Sequence, residues 1–231
     1  MAQKENPHEL ILKTLKEKGG MNLKIAENRN AAFEDLKKIA KKTANDLNGK
    51  MDSSNIKISV VYKDKGPLEF ELAVADDILI FYMHTNIFEF DKSHALWKTS
   101  YLKDDASRSY CGIINIYNFL SDSFKYNRTS DVGYMIGRIF INKDSHYFVE
   151  GKRQLGFLYN DFVNETIDST KLENILESAI LYCLSFDLLT PPFDTVKEVS
   201  VSEMQEVTDN LQIKTGKRLG FRFQADNDQI D

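Results

Sequence analysis

Between Ile56 and Phe162 the chain passes through six or seven short apolar segments, most of them joined by turns too short to hold a crossover helix. A parallel strand pair needs a connection of a dozen or more residues, usually helical. The run therefore predicts an antiparallel β-meander, of a kind that can curl, rather than a doubly wound sheet. Individual segments fit this reading. "IKISVVYK" sends Ile56, Ile58 and Val60 to one side, and Gly66-Pro67 punctuates the turn that follows. "LEFELAV" alternates Leu68, Phe70, Leu72 and Val74 against Glu69, Glu71 and Ala73, so one of its faces is wet. "ILIFYM" is apolar on both parities, as expected of a central strand covered on both faces. "VGYMIGRIFI" and "HYFVEGK" flank "NKDS" as a hairpin, and "LGFLYNDF" reads as one more strand.

Helical patterns bracket these strands. "NPHELILKTLKEKGG" opens with Asn6 as N-cap and Pro7 at the first helical position, and Gly19-Gly20 predicts its end. A second helix then carries Phe33, Leu36, Ile39, Ala40, Thr43, Ala44, Leu47 and Met51 on one stripe, with lysines opposite. That stripe predicts packing on the sheet, with a homodimer through the 30–51 helix as the competing use. After the strands, Leu172, Ile175, Leu176, Ala179, Ile180, Cys183, Leu184 and Phe186 form a wide apolar face, introduced by a Thr170-x-x-Glu173 capping box with Asp168 and Ser169 as alternative caps. "FDTVKEVSV" reads as extended, and Ser202-x-x-Gln205 as the start of a short helix with Met204, Val207 and Leu211 on one stripe.

The expected architecture is α+β: an antiparallel meander with N-terminal and C-terminal helices packed on it. It fits one domain over 1–231, divided into a helical segment 1–51, a sheet 55–162 and C-terminal helices and tail 168–231. A chain of 231 residues with 42% hydrophobic and 28% charged residues has the composition of a globular protein. The polar N-terminus lacks a signal peptide's apolar core, and no run reaches the roughly 18 apolar residues of a membrane span. Two isolated cysteines, Cys111 and Cys183, read as buried thiols in a reducing compartment, which places the protein in the cytoplasm. The net charge of −5 makes nucleic acid an unfavourable partner. "KTGKRLGFRF" mixes basic and aromatic residues, and four charges beside an acidic tail are more simply a solvated face.

One triplet raises a catalytic question. Glu150-Gly151-Lys152 is a Glu-x-Lys at the end of an apolar run. In metal-dependent nucleases such a pair shares a strand face with an acid on the neighbouring strand. If "NKDS" closes the hairpin with Ile141 opposite His146, then Ile139 faces Phe148, Gly137 faces Glu150 and Met135 faces Lys152. Glycine then occupies the place of the second acid, and Asp131 lies roughly 20 Å away at ~3.3 Å per residue, beyond the reach of a Mg²⁺ ligand sphere. Two further arrangements of residues carry chemistry. His84, Asp91 and His94 are of types that bind zinc, at a spacing that matches no compact motif. The long link from Asp91 to Ser109, aperiodic or hiding a short helix, could cover a pocket with Trp97, Tyr101 and Arg108 lining one side and Gly137, Phe148 and Glu150 the other.

A meander behind an amphipathic helix resembles, at the level of fold alone, the PAS and GAF sensing domains, although no motif of either is present. The sequence reading is therefore a non-catalytic, small-molecule-sensing or protein-interaction module with no cofactor expected. The enzyme alternatives are the Glu150/Lys152 nuclease and a flavin-binding antiparallel barrel.

Overall fold

The computed structural model describes residues 6–51, 58–129, 131–186, 190, 192–202 and 204. The chain begins with α1 (Pro7–Met51), followed by β1 (Val60–Asp64), β2 (Glu69–Val74) and β3 (Asp77–Glu89). The link after β3 holds α2 (Ser100–Asp104) between two 3₁₀ turns, Ala95–Lys98 and Ala106–Ser109. Then come β4 (Tyr110–Leu120), α3 (Ser121–Lys125), β5 (Tyr134–Asn142), β6 (Tyr147–Gly151), α4 (Gln154–Leu158), α5 (Ser169–Leu184) and α6 (Phe193–Val196). The strands form one open sheet in sequential order, every neighbour antiparallel, so the fold is the α+β meander that the sequence predicts. The sheet does not close into a barrel.

α1 and α5 cover one face, here the inner face. Phe33, Leu36, Ala40 and Ala44 of α1 and Ile175, Leu176, Ala179 and Cys183 of α5 bury against Leu72, Leu79, Phe81, Ile114, Ile116, Ile139 and Val149. The part of the stripe from Phe33 to Ala44, expected either to pack or to dimerise, is thus covered by the sheet and α5. Polar ties fix α1 in place: Lys37 donates to Asp64 and to the Gly66 carbonyl of the β1–β2 turn, and Asn28 donates to the carbonyls of Asn142 and Lys143. Asn48 donates to the Val60 carbonyl and accepts from its N–H, capping part of the open edge of β1. An uncovered strand edge is a template for unwanted pairing. The opposite edge is also covered, where β6 gives the N–H of Val149 to Tyr159 and that of Tyr147 to Glu165.

Five expectations change. α1 is one helix of 45 residues that runs through Gly19-Gly20. Glycine costs a helix about 1 kcal/mol but ends it only by adopting a left-handed cap, and among described glycines only Gly66 has positive φ. "LGFLYNDF" is not a strand. The chain turns at Arg153 (φ 47°), and Gly156 lies so close to the Gly151 carbonyl that a side chain there would clash. A short helix results, and the segment beyond it lies along β6. The β5–β6 register is one residue from expectation. Asn142 donates to the His146 carbonyl, so the loop holds three residues, 143–145, with Ser145 left-handed at φ 62°. Ile139 therefore pairs with Val149, Phe140 with Phe148, and Arg138, not Gly137, with Glu150. A one-residue slip exchanges faces, and the observed register alone keeps Ile139 and Val149 inside while stacking Phe140 on Phe148 outside, ring centroids 4.7 Å apart. "FDTV" is a helical turn rather than extended. The central β3 is buried on its inner face, but Ile80 and Tyr82 on its outer face are only half-buried. Asp168, one of the three caps considered for α5, accepts from the N–H of Lys171. Ile56, the Gln205–Leu211 continuation and "KTGKRLGFRF" lie outside the described residues.

Candidate functional site

The Asp91–Ser109 link folds over the outer face of the sheet as two 3₁₀ turns around α2. Phe90, Tyr101, Leu102, Cys111, Ile113, Phe140, Phe148 and Phe162 pack together beneath it. Where a ligand pocket was expected, aromatic side chains fill the space. Tyr101 stacks on His146 at 4.6 Å, with the Arg108 guanidinium 4.2 Å from its ring centroid. Its hydroxyl accepts from Asn142 and donates to Asp144, which also accepts from Arg108. Burial raises the Tyr101 hydroxyl to about 12. Trp97 gives its indole N–H to the Phe90 carbonyl, and its ring lies 3.6 Å from the Lys92 ammonium. Two of the expected ligand contacts, Tyr101 and Arg108, thus fasten the link to the β5–β6 turn, and a third, Trp97, ties it to the end of β3 at Phe90.

Asp105 belongs to the same fastening. It accepts from Lys143 and from the hydroxyl and N–H of Ser107, and these bonds pull its carboxyl down to about 2. A depressed carboxyl stabilises the fold above its unfolded value of 3.8, and the contribution disappears as pH falls through about 2. The side chain is partly exposed, so solvent screening keeps the effect modest. Denaturant midpoints measured across that acid window should fall less steeply for Asp105→Asn than for the native chain, and parallel curves would show that Asp105 is not so held.

The remaining expected residues disperse. Phe148 and Glu150 share the outer face, whereas the Cβ direction of Gly137 points to Leu155 and Val149 on the inner side. Glu150 forms an ion pair with Arg138 at one end of an open cleft of about 460 Å³ that also touches Gly137 and Lys152. The residue across from Glu150 is therefore a cation, the reverse of a second metal-binding acid. Asp131 pairs with Arg128 and accepts from Ser123. His84 accepts the N–H of Asn86, His94 that of Leu96, and Asp91 that of Ser93, so all three serve local turns. Among the described residues no group of three or more His, Cys, Asp or Glu side chains could hold a metal ion. Burial pushes the Cys111 thiol well up, away from the thiolate a nucleophile requires.

Among the described residues an apolar surface lies at each end of α1, and neither follows from the sequence reading. The core-facing stripe of the helix extends towards the N-terminus at the same three- and four-residue spacing through Ile25, Asn22, Lys18, Leu15 and Ile11. The body beneath it ends sooner: Ile25 is fully buried, but Leu15 is 64% and Ile11 55% exposed, with Leu10 and Leu12 beside them. The first three turns thus form an overhang. At the far end, Leu47, Met51, Val60, Val74, Ile180 and Leu184 line a groove of about 420 Å³, rimmed by Leu181 at 65% exposure. Continuing the stripe past Gly19-Gly20 would have revealed the overhang. The groove joins residues from α1, β1, β2 and α5, and no local pattern encodes it. No described helix is long and apolar enough to cross a membrane.

The chain matches no protein-family model, and no curated protein or solved structure matches it.

Proposed function

We propose that this protein is a non-catalytic interaction module that engages a protein partner through the exposed apolar surfaces of α1 and the α1–α5 groove. The observation that carries this reading is the overhang. Exposed single leucines are ordinary, but clustered exposed apolar surface marks sites of association. A helix of three unsupported turns followed by two glycines is marginal in water and gains stability by packing its apolar face. The small-molecule branch of the sequence reading has less support, because Trp97, Tyr101 and Phe148 pack into the outer aromatic cluster while Gly137 faces inward and Glu150 pairs with Arg138.

The test places a photoreactive phenylalanine analogue at Leu15, at Leu181 and, as a control, at Lys63, an exposed position on β1. Irradiation in the native cell should give protein adducts from the first two positions and not from the third. Absence of adducts at both apolar positions would refute the reading.

A further inference from the structure

The overhang and the groove lie on one rod, and they complement each other. From Leu15 to Leu47 is 32 residues along α1, or about 48 Å at 1.5 Å per residue, so a single chain cannot bring the two together. The overhang presents Leu10, Ile11, Leu12 and Leu15 within two turns, and the groove offers an apolar trough with room for several aliphatic side chains. Laying an amphipathic helix into such a trough is a recurrent mode of recognition.

Charge supports the same pairing. Residues 7–18 carry three lysines, Lys13, Lys16 and Lys18, against Glu9 and Glu17, for a net +1. The whole chain carries −5, so the remainder carries −6. Among the described residues that line the groove, the one ionisable side chain is the exposed Glu177. Side-by-side pairing of two overhangs would instead bring two surfaces of like net charge together.

We infer that the overhang of one copy docks in the α1–α5 groove of the next, with Leu15 and its neighbours in the trough and the overhang lysines near Glu177. This rests on the interaction reading above and names a second copy of the chain as the partner. The contact is heterologous, because different patches meet, so it propagates head to tail into an open chain or closes into a ring. A three-turn helix buries a small area, and contacts of that size are weak, so assembly sets in at high protein concentration.

Analytical ultracentrifugation over a wide concentration range tests this with Leu15→Asp and Leu181→Asp. Both positions are exposed, so neither change opens the core, and Ile11→Asp and Leu184→Asp replace them if either variant misfolds. The wild type should pass beyond dimers as concentration rises, and each variant alone should stay monomeric. Mixed in equal amounts they should form a 1:1 heterodimer and nothing larger. In that pair the Leu15→Asp copy supplies an intact groove and the Leu181→Asp copy an intact overhang. Three results would overturn the proposal: a wild type that stays monomeric throughout, association that survives Leu181→Asp, or a mixture that fails to pair. The cross-linking experiment separates this from a failure of the broader reading. Adducts at Leu15 and Leu181 made only with other proteins would end self-assembly while leaving an interaction module in place.

Discussion

Replacing Arg29 by alanine should destabilise the protein by about 2–4 kcal/mol, among the largest effects of any single polar truncation. Arg29 is 5% exposed, on the sheet-facing stripe of α1 between Ile25 and Phe33. The β3–β4 ladder is interrupted between Met83 and Ile87. The carbonyls of His84 and Thr85, released there from strand pairing, accept from Arg29 Nη1 at 2.6 and 3.0 Å. A buried charge holding two carbonyls released from the ladder is costly to remove, because the carbonyls lose their donor. The irregularity is near the sheet's end, where water can reach part of it, which keeps the loss below the range's extreme. Burial also lowers the guanidinium's pKa, yet an arginine remains charged throughout the ordinary range. Gly112 supplies an internal check. A Cβ on that residue would lie 2.7 Å from Arg29 Cδ, so Gly112→Ala should push the arginine from its seat. In the Arg29→Ala background the same change should cost less, because only the Cβ of residue 29 remains close, at 3.0 Å. Urea melts of the two single variants and the double variant measure this coupling. Additive losses would show that Arg29 and Gly112 act separately.

Leu176→Ala should cost about 2–5 kcal/mol, the range for truncating a leucine in a packed core. Leu176 is fully buried in the cluster joining α5 to α1 and the inner face of the sheet. Its flanking Ile175, Ala179 and Cys183 are also fully buried, so little nearby can collapse into the space left. Leu181→Ala, on the exposed side of the same helix, should change stability by less than about 0.5 kcal/mol. Denaturant midpoints at unchanged m-value make the comparison. A Leu176→Ala loss as small as that of Leu181→Ala would mean that α5 contributes little to the fold.

These two sites differ in how far the sequence exposes them. Leu176 belongs to a periodic apolar face, so helix, orientation and burial all follow from local pattern. Arg29 breaks that pattern with a charge. Only the strand irregularity opposite, formed by residues more than 50 positions away, gives it acceptors. The candidate site was less legible than the fold for the same reason. Trp97, Tyr101 and Arg108 are residue types that pockets use, and here Tyr101 and Arg108 bind the β5–β6 turn and each other while Trp97 ties down the start of the link. Glu150 and Lys152 have a suggestive spacing, but the partner of Glu150 is set by register.

Alternation of apolar residues, short polar turns and the absence of crossover helices determine the antiparallel meander. The 3.6-residue stripes determine which faces of α1 and α5 are buried. These are local consequences of side-chain period, which backbone geometry fixes. The tertiary structure decided the rest. Ser145's left-handed backbone shortened the β5–β6 loop and moved the register by one residue. The absence of left-handed caps carried α1 through Gly19-Gly20. The length of that helix against the width of the sheet left Ile11 and Leu15 without cover. The assembly of four separate elements made the groove at its other end. Each of these depends on which distant groups meet, a quantity that no window along the chain contains.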